Sequence, residues 1–183
     1  MARVPYLEEQ DLSAENRDLL SRKLNLYRAL ANSPDTARSF MGLGMHVRFH
    51  MKLDPRLREL AILQVGYVAR APYEYAHHIE LGRQFGVTDA DLAALAMETR
   101  GETSALAPLD RAVLRAAREL AAGTEVSDAT FATLSAGLDH ERVVDLMVAI
   151  GLYCGVVRVL GALKIDLEPE YQHYLKEFPL PVA

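Results

Sequence analysis

From Leu60 to Ala69 the chain is apolar almost throughout, with Gln64 as the exception. Arg58 and Glu59 lead into this run, and Glu74 and His78 follow it. On a helix, Glu59 shares a face with Ile62, Leu63 and Gly66. Glu74 and His78 are spaced i, i+4, so they lie one above the other on a stripe that continues to Leu81 and Phe85. Ionisable groups on an apolar face are costly to bury unless they are paired or used. The stretch therefore predicts a helical core built around a polar cluster, and it marks the place to look for chemistry.

Helix signals dominate the rest of the chain, and no stretch alternates convincingly as a strand. Ser33-Pro34 and Asp54-Pro55 each read as an N-cap with proline at the first helical position. Thr88 with Asp91 resembles a capping box, and Asp139 is a plausible N-cap for the apolar helix after it. The predicted helices are 13–23, 35–51, 55–70, 73–85, 89–99, 109–122, 128–136, 140–164 and 169–177. The fold class is all-α. The segment 100–108 is a loop inside one domain spanning 1–183, whose core covers about 20–165 between N- and C-terminal extensions. Val143 to Leu163 approaches the length needed to cross a bilayer, but Asp145 and Arg158 interrupt it, so it is expected to be a core or subunit-interface helix. Arg158, the one cation inside that helix, is expected to be ion-paired, within the chain or across subunits.

Of 183 residues, half are hydrophobic and a quarter charged, as in an ordinary globular protein with a real core. The net charge of −5 argues against nucleic acid or an anionic membrane as a partner. A single cysteine excludes a disulfide framework, and the first residues carry no apolar signal segment, so a cytoplasmic location is expected.

A two-helix hairpin would bring Glu59 close to His78, where a carboxylate orients the ring and raises its basicity. A buried polar network that merely fixes helix packing would show the same pattern. Glu74, in a first helical turn after Pro72, is favoured there by the helix dipole. These residues resemble the carboxymuconolactone decarboxylase family, which is related to alkyl hydroperoxidase D. The redox branch of that family carries a Glu, then CxxC, then a His four residues after the second Cys. Here Ala71 and Glu74 stand at the cysteine positions, His78 at the histidine and Glu59 at the glutamate. The run Tyr73-Glu74-Tyr75-Ala76-His77-His78 is similar to the decarboxylase-like branch, with Tyr75 in place of a Trp. The stretches Asn25 to Pro34 and Gly86-Val87-Thr88-Asp89 also resemble that branch.

The resemblance implies an AhpD-like helical bundle, a homo-oligomer (trimer or hexamer) and cofactor-free chemistry on a small carboxylated lactone or related carbonyl metabolite. It implies catalytic roles for His78 as acid/base, Glu59 as its orienting partner and Glu74 as a proton relay or, if protonated, a partner for a lactone hydroxyl. Thiol peroxidase activity needs a nucleophilic and a resolving thiol, and both positions lack sulfur. Cys154 lies in an apolar run and reads as a small core residue. The alternatives are a peroxidase-related protein without its redox cysteines and a non-catalytic small-ligand-binding oligomer. Tyr73, Arg48 and Tyr153 are candidates for binding substrate. His46 and His50 have a spacing that suits zinc, but no third ligand is suggested, so no metal is expected. His77 points about 100° from His78 and is expected at an interface or in solvent.

Overall fold

A computed structural model describes residues 1–181. Nine α-helices are present among these residues: α1 (Asn25–Leu30), α2 (Pro34–Phe49), α3 (Pro55–Val68), α4 (Pro72–Gln84), α5 (Asp89–Thr99), α6 (Pro108–Ala122), α7 (Asp128–Gly137), α8 (His140–Leu163) and α9 (Gln172–Glu177). No strand occurs among the described residues, so the fold is all-α, as the periodicity predicts.

Helix α3 forms the centre. Every residue from Leu57 to Tyr67 is buried, because α4, α6 and α8 pack around it. A helix apolar all round has no solvent face, which explains why Leu60 to Ala69 lacks amphipathic alternation. Its start follows the sequence signals: the Asp54 side chain accepts from the Leu57 amide at 3.0 Å, ahead of Pro55. Thr88 and Asp91 close the expected capping box, and Asp139 caps α8 through the Arg142 amide. Ser33 departs from expectation, because its hydroxyl donates to Thr36 Oγ1 and caps no amide.

The turn between α3 and α4 is short and fully bonded. Arg70 adopts a left-handed conformation (φ 49°), its amide donates to the Tyr67 carbonyl, and the Ala71 amide donates to Gly66. This is a Schellman closure, with arginine where glycine is usual. Pro72 then starts α4 immediately. The two helices approach closely at Gly66, where an added Cβ would lie 3.2 Å from the Tyr75 backbone nitrogen.

The structure corrects three expectations. The segment predicted as helix 13–23 is a 3-10 helix over Ala14–Leu20, with only Leu19 and Leu20 buried, too few apolar anchors for a longer α-helix. The short helix α1 was not predicted; its N-terminus is fixed by Glu168, far along the chain, which accepts from the Asn25 amide at 2.6 Å. Arg158 is exposed, and no carboxylate pairs with it among the described residues, which removes the expected ion pair within the chain; it donates to the Cys154 carbonyl of its own helix. The reason is that α8 is only half enclosed. It is long and apolar enough to cross a membrane, and its most apolar window is 44% buried. Val144, Val148, Gly151 and Gly155 form an exposed row along it.

Because the Gly66 contact involves backbone, Tyr75 cannot move aside alone. Gly66→Ala should lower stability by about 1–3 kcal/mol, read as a reduced urea midpoint with an unchanged m-value. An unaltered midpoint would refute close helix packing at this point.

Candidate active site

The α3–α4 hairpin brings Glu59 and His78 together although 19 residues separate them. Four buried side chains form a row of alternating charge. Arg58 donates Nε and Nη2 to Glu59 Oε1 at 3.0 and 2.9 Å. Glu59 Oε2 lies 2.7 Å from His78 Nδ1, and His78 Nε2 lies 2.8 Å from Glu74 Oε1. Each of the four is at most 5% exposed. Arg58 is further held by the Arg48 carbonyl at 3.0 Å and by the Phe85 ring, whose centroid is 4.5 Å from the guanidinium.

Burial alone would pull the His78 pKa down. The carboxylates of Glu59 and Glu74 outweigh that cost and hold it up at about 9. Burial likewise pushes the Glu59 carboxyl up, but the His78 and Arg58 charges prevail and keep it below its usual value. At neutral pH His78 is therefore an imidazolium paired with the Glu59 carboxylate, between Arg58 and Glu74, with both imidazole nitrogens engaged. Such a set is tolerable in a low-dielectric core because each charge meets an opposite one at hydrogen-bond distance.

The row ends at a cavity of about 320 Å³. Glu74 and His78 line it, whereas Arg58 and Glu59 stand behind the wall. Its other walls are largely apolar, including Phe40, Met45, Leu81, Phe85 and Val156. Tyr153 packs its ring edge against His78, with centroids 5.0 Å apart, and its hydroxyl makes no hydrogen bond to protein among the described residues. Burial, reinforced by Glu74 and Glu59, raises the pKa of that hydroxyl, so it stays protonated. Arg48 lines the cavity and has no carboxylate within salt-bridge distance among the described residues, and Arg22 lies at the same cavity.

Of the six residues singled out from sequence, all but Glu59 line this cavity, and Glu59 contacts it through His78. Tyr73 contributes its ring, but its hydroxyl is committed elsewhere, donating to Glu168 Oε1 at 3.1 Å and accepting from the Leu26 amide at 3.2 Å. His77 is not in solvent: it is stacked between Tyr73 and Tyr171, and Nε2 lies 2.7 Å from Glu168 Oε2. Sequence spacing gave no sign of this second histidine–carboxylate pair, because Glu168 is 91 residues away. Arg22 was missed as well, since nothing around it forms a motif. His46 and His50 are exposed, with ring centroids 6.0 Å apart, and no group of three or more candidate metal ligands occurs among the described residues. Cys154 lines a separate cleft with Arg118 and Arg158, and burial pushes its thiol pKa up.

With the geometry in hand, comparison with known proteins gives the class. Residues 34–119, which carry the whole charged row, match the carboxymuconolactone decarboxylase family. Over that stretch the chain is similar to the family, and its fold is AhpD-like. A similar structure is the alkylhydroperoxidase AhpD core of an uncharacterized peroxidase-related protein from Ralstonia eutropha JMP134, with a TM-score of 0.79 at 19% identity, covering 93% of this chain and 94% of that one. The debrominase Bmp8 in its apo form gives a TM-score of 0.80 at 18% identity, covering 96% and 97%. A peroxidase-related protein from Silicibacter sp. TM1040 gives 0.72 at 18% identity, covering 92% of each chain. At these identities the likeness is one of fold. No curated protein matches the chain.

The raised His78 pKa has a signed consequence for stability. Its contribution is fully present below the unfolded-state pKa of about 6.5 and is lost as pH rises through about 9. Glu59, whose pKa is lowered, contributes above the usual carboxylate range and loses that contribution as pH falls. The His78 ring signals in an NMR titration should move near pH 9; movement near 6.5 would mean that the row is not formed.

Proposed function

We propose that this protein is a cofactor-free enzyme of proton transfer and decarboxylation, acting on a small carboxylated lactone or related carbonyl compound. The observation that carries the reading is the His78 imidazolium held between Glu59 and Glu74 on the wall of an apolar cavity. In such a reaction the bond between the ring carbon and the carboxylate breaks, and CO2 leaves. The electron pair passes into the conjugated lactone carbonyl, and a proton must then return to carbon.

The roles divide along the row. Glu59 keeps its charge and orients the ring as a positioning residue. His78 is the proton reservoir. Because Glu74 stands on Nε2, a proton leaves His78 through Glu74, which makes Glu74 the relay to the substrate. Arg48, without a carboxylate partner, binds the substrate carboxylate. The free Tyr153 hydroxyl donates to the developing enolate oxygen, where a fixed donor in an apolar site is worth more than in water. Tyr73 shapes the wall through its ring. Thiol peroxidase chemistry is disfavoured, because Ala71 and Glu74 occupy the cysteine positions and Cys154 is not among the cavity residues.

The native protein should release CO2 from gamma-carboxymuconolactone or a related carboxy-lactone. His78→Gln and Glu74→Gln should each lower kcat by about 10²–10⁴-fold, while Arg48→Gln should chiefly raise KM. Release unchanged in His78→Gln would sink the assignment, and no release from any carboxy-lactone would remove the substrate class.

We further propose that the chain works as a homo-oligomer. In support, Leu43, Met45, Phe49, Val144 and Val148 are large apolar side chains left exposed on α2 and α8. Light scattering should give a multiple of the 20.3 kDa chain mass, and a monomer at working concentration would overturn this.

A further inference from the structure

On the far side of α6 from its buried face, Arg111, Arg115 and Arg118 recur at i, i+4 and i+7, so they project along one stripe. They line a cleft of about 470 Å³ between α6, α7 and the α5–α6 loop. None of the three has a carboxylate within salt-bridge distance among the described residues, and like charges at this spacing repel. Two acids also line the cleft, but both are engaged. Glu98 Oε1 accepts from the amide and hydroxyl of Ser104 at 3.1 and 2.7 Å, and Glu102 is bonded to Arg100.

A solvated helix face would leave such arginines extended and free. Arg118 instead is half-buried and anchored. Its Nη1 donates to Gln64 Oε1 at 2.9 Å, and Gln64, the one polar residue of the central apolar run, is fully buried and braced by Thr99 at 3.0 Å. The remaining donors of Arg118 make no hydrogen bond to protein among the described residues. Burial, with Arg115 nearby, lowers the Arg118 pKa against the pull of Glu98 and Glu119, the mark of a cation short of counter-charge.

We infer that this cleft is an anion-binding site, separate from the Glu74–His78 cavity, which takes a small dianion such as phosphate on the forks of Arg111, Arg115 and Arg118. Guanidinium forks match paired oxygens geometrically, and each charge-assisted contact exceeds a neutral hydrogen bond. The ligand supplies the counter-charge that the fold omits. Arg118, anchored on Gln64, sets its depth, and Arg111 with the exposed Arg115 closes over it.

The test is calorimetric titration of the full chain with sodium phosphate at constant ionic strength, with sodium chloride as the reference. Phosphate should bind once per chain and raise the melting temperature above the chloride control. The double substitution Arg111→Gln with Arg115→Gln should melt with the native protein in chloride, yet bind phosphate about tenfold or more weakly. Arg48→Gln, which alters the other cavity, should leave phosphate affinity unchanged. No phosphate binding beyond chloride, full affinity in the double variant, or loss of affinity in Arg48→Gln would each overturn the assignment.

Discussion

The structure depends on one row of buried charge, Arg58 to Glu59 to His78 to Glu74. Each member is affordable only because of its neighbour, so none can be removed without stranding another in a low-dielectric core. The helices that carry the row are therefore constrained together: α3 must present two charges to its own apolar packing, α4 must begin immediately after the turn, and Gly66 must let the two backbones meet. The polar row and the tight hairpin are one structural solution. The formal charges sum to zero, which lets the apolar shell of α6 and α8 close around α3.

Much of this was legible in the residues. The apolar run with a glutamate at its head and a histidine beyond its turn pointed to the hairpin, because an unpaired glutamate at Glu59 would be prohibitively costly. Proline and aspartate marked the starts of α3 and α8 because capping is a local interaction, readable over three or four residues. What was hidden depends on distant partners. The helix α1 and the placement of His77 both rest on Glu168, and no local period announces a contact made from so far along the chain. The exposure of Arg158 was hidden for a related reason. Composition reports that α8 is apolar, but not how much of its circumference the rest of the chain covers.

Gln64 illustrates how a polar exception can be informative. In sequence it looked like a blemish in an apolar helix. In the structure it reaches Thr99 on one side and Arg118 on the other, linking the central helix to a cationic cleft. The same central helix thus serves two polar regions, one through Glu59 near its start and one through Gln64 further along. The apolar residues between them keep the two apart.

The Glu168 contacts have a consequence for the order in which the molecule assembles. This carboxylate accepts from the Asn25 amide, the Tyr73 hydroxyl and His77, joining the segment after α8 to α1 and α4. The α3–α4 hairpin closes a short loop, whereas these contacts close loops of 91 to 143 residues. Long closures cost more chain entropy and are repaid only after the intervening chain has compacted. The charged row therefore closes at a smaller cost in chain entropy than the rim bounded by Tyr73, His77 and Tyr171.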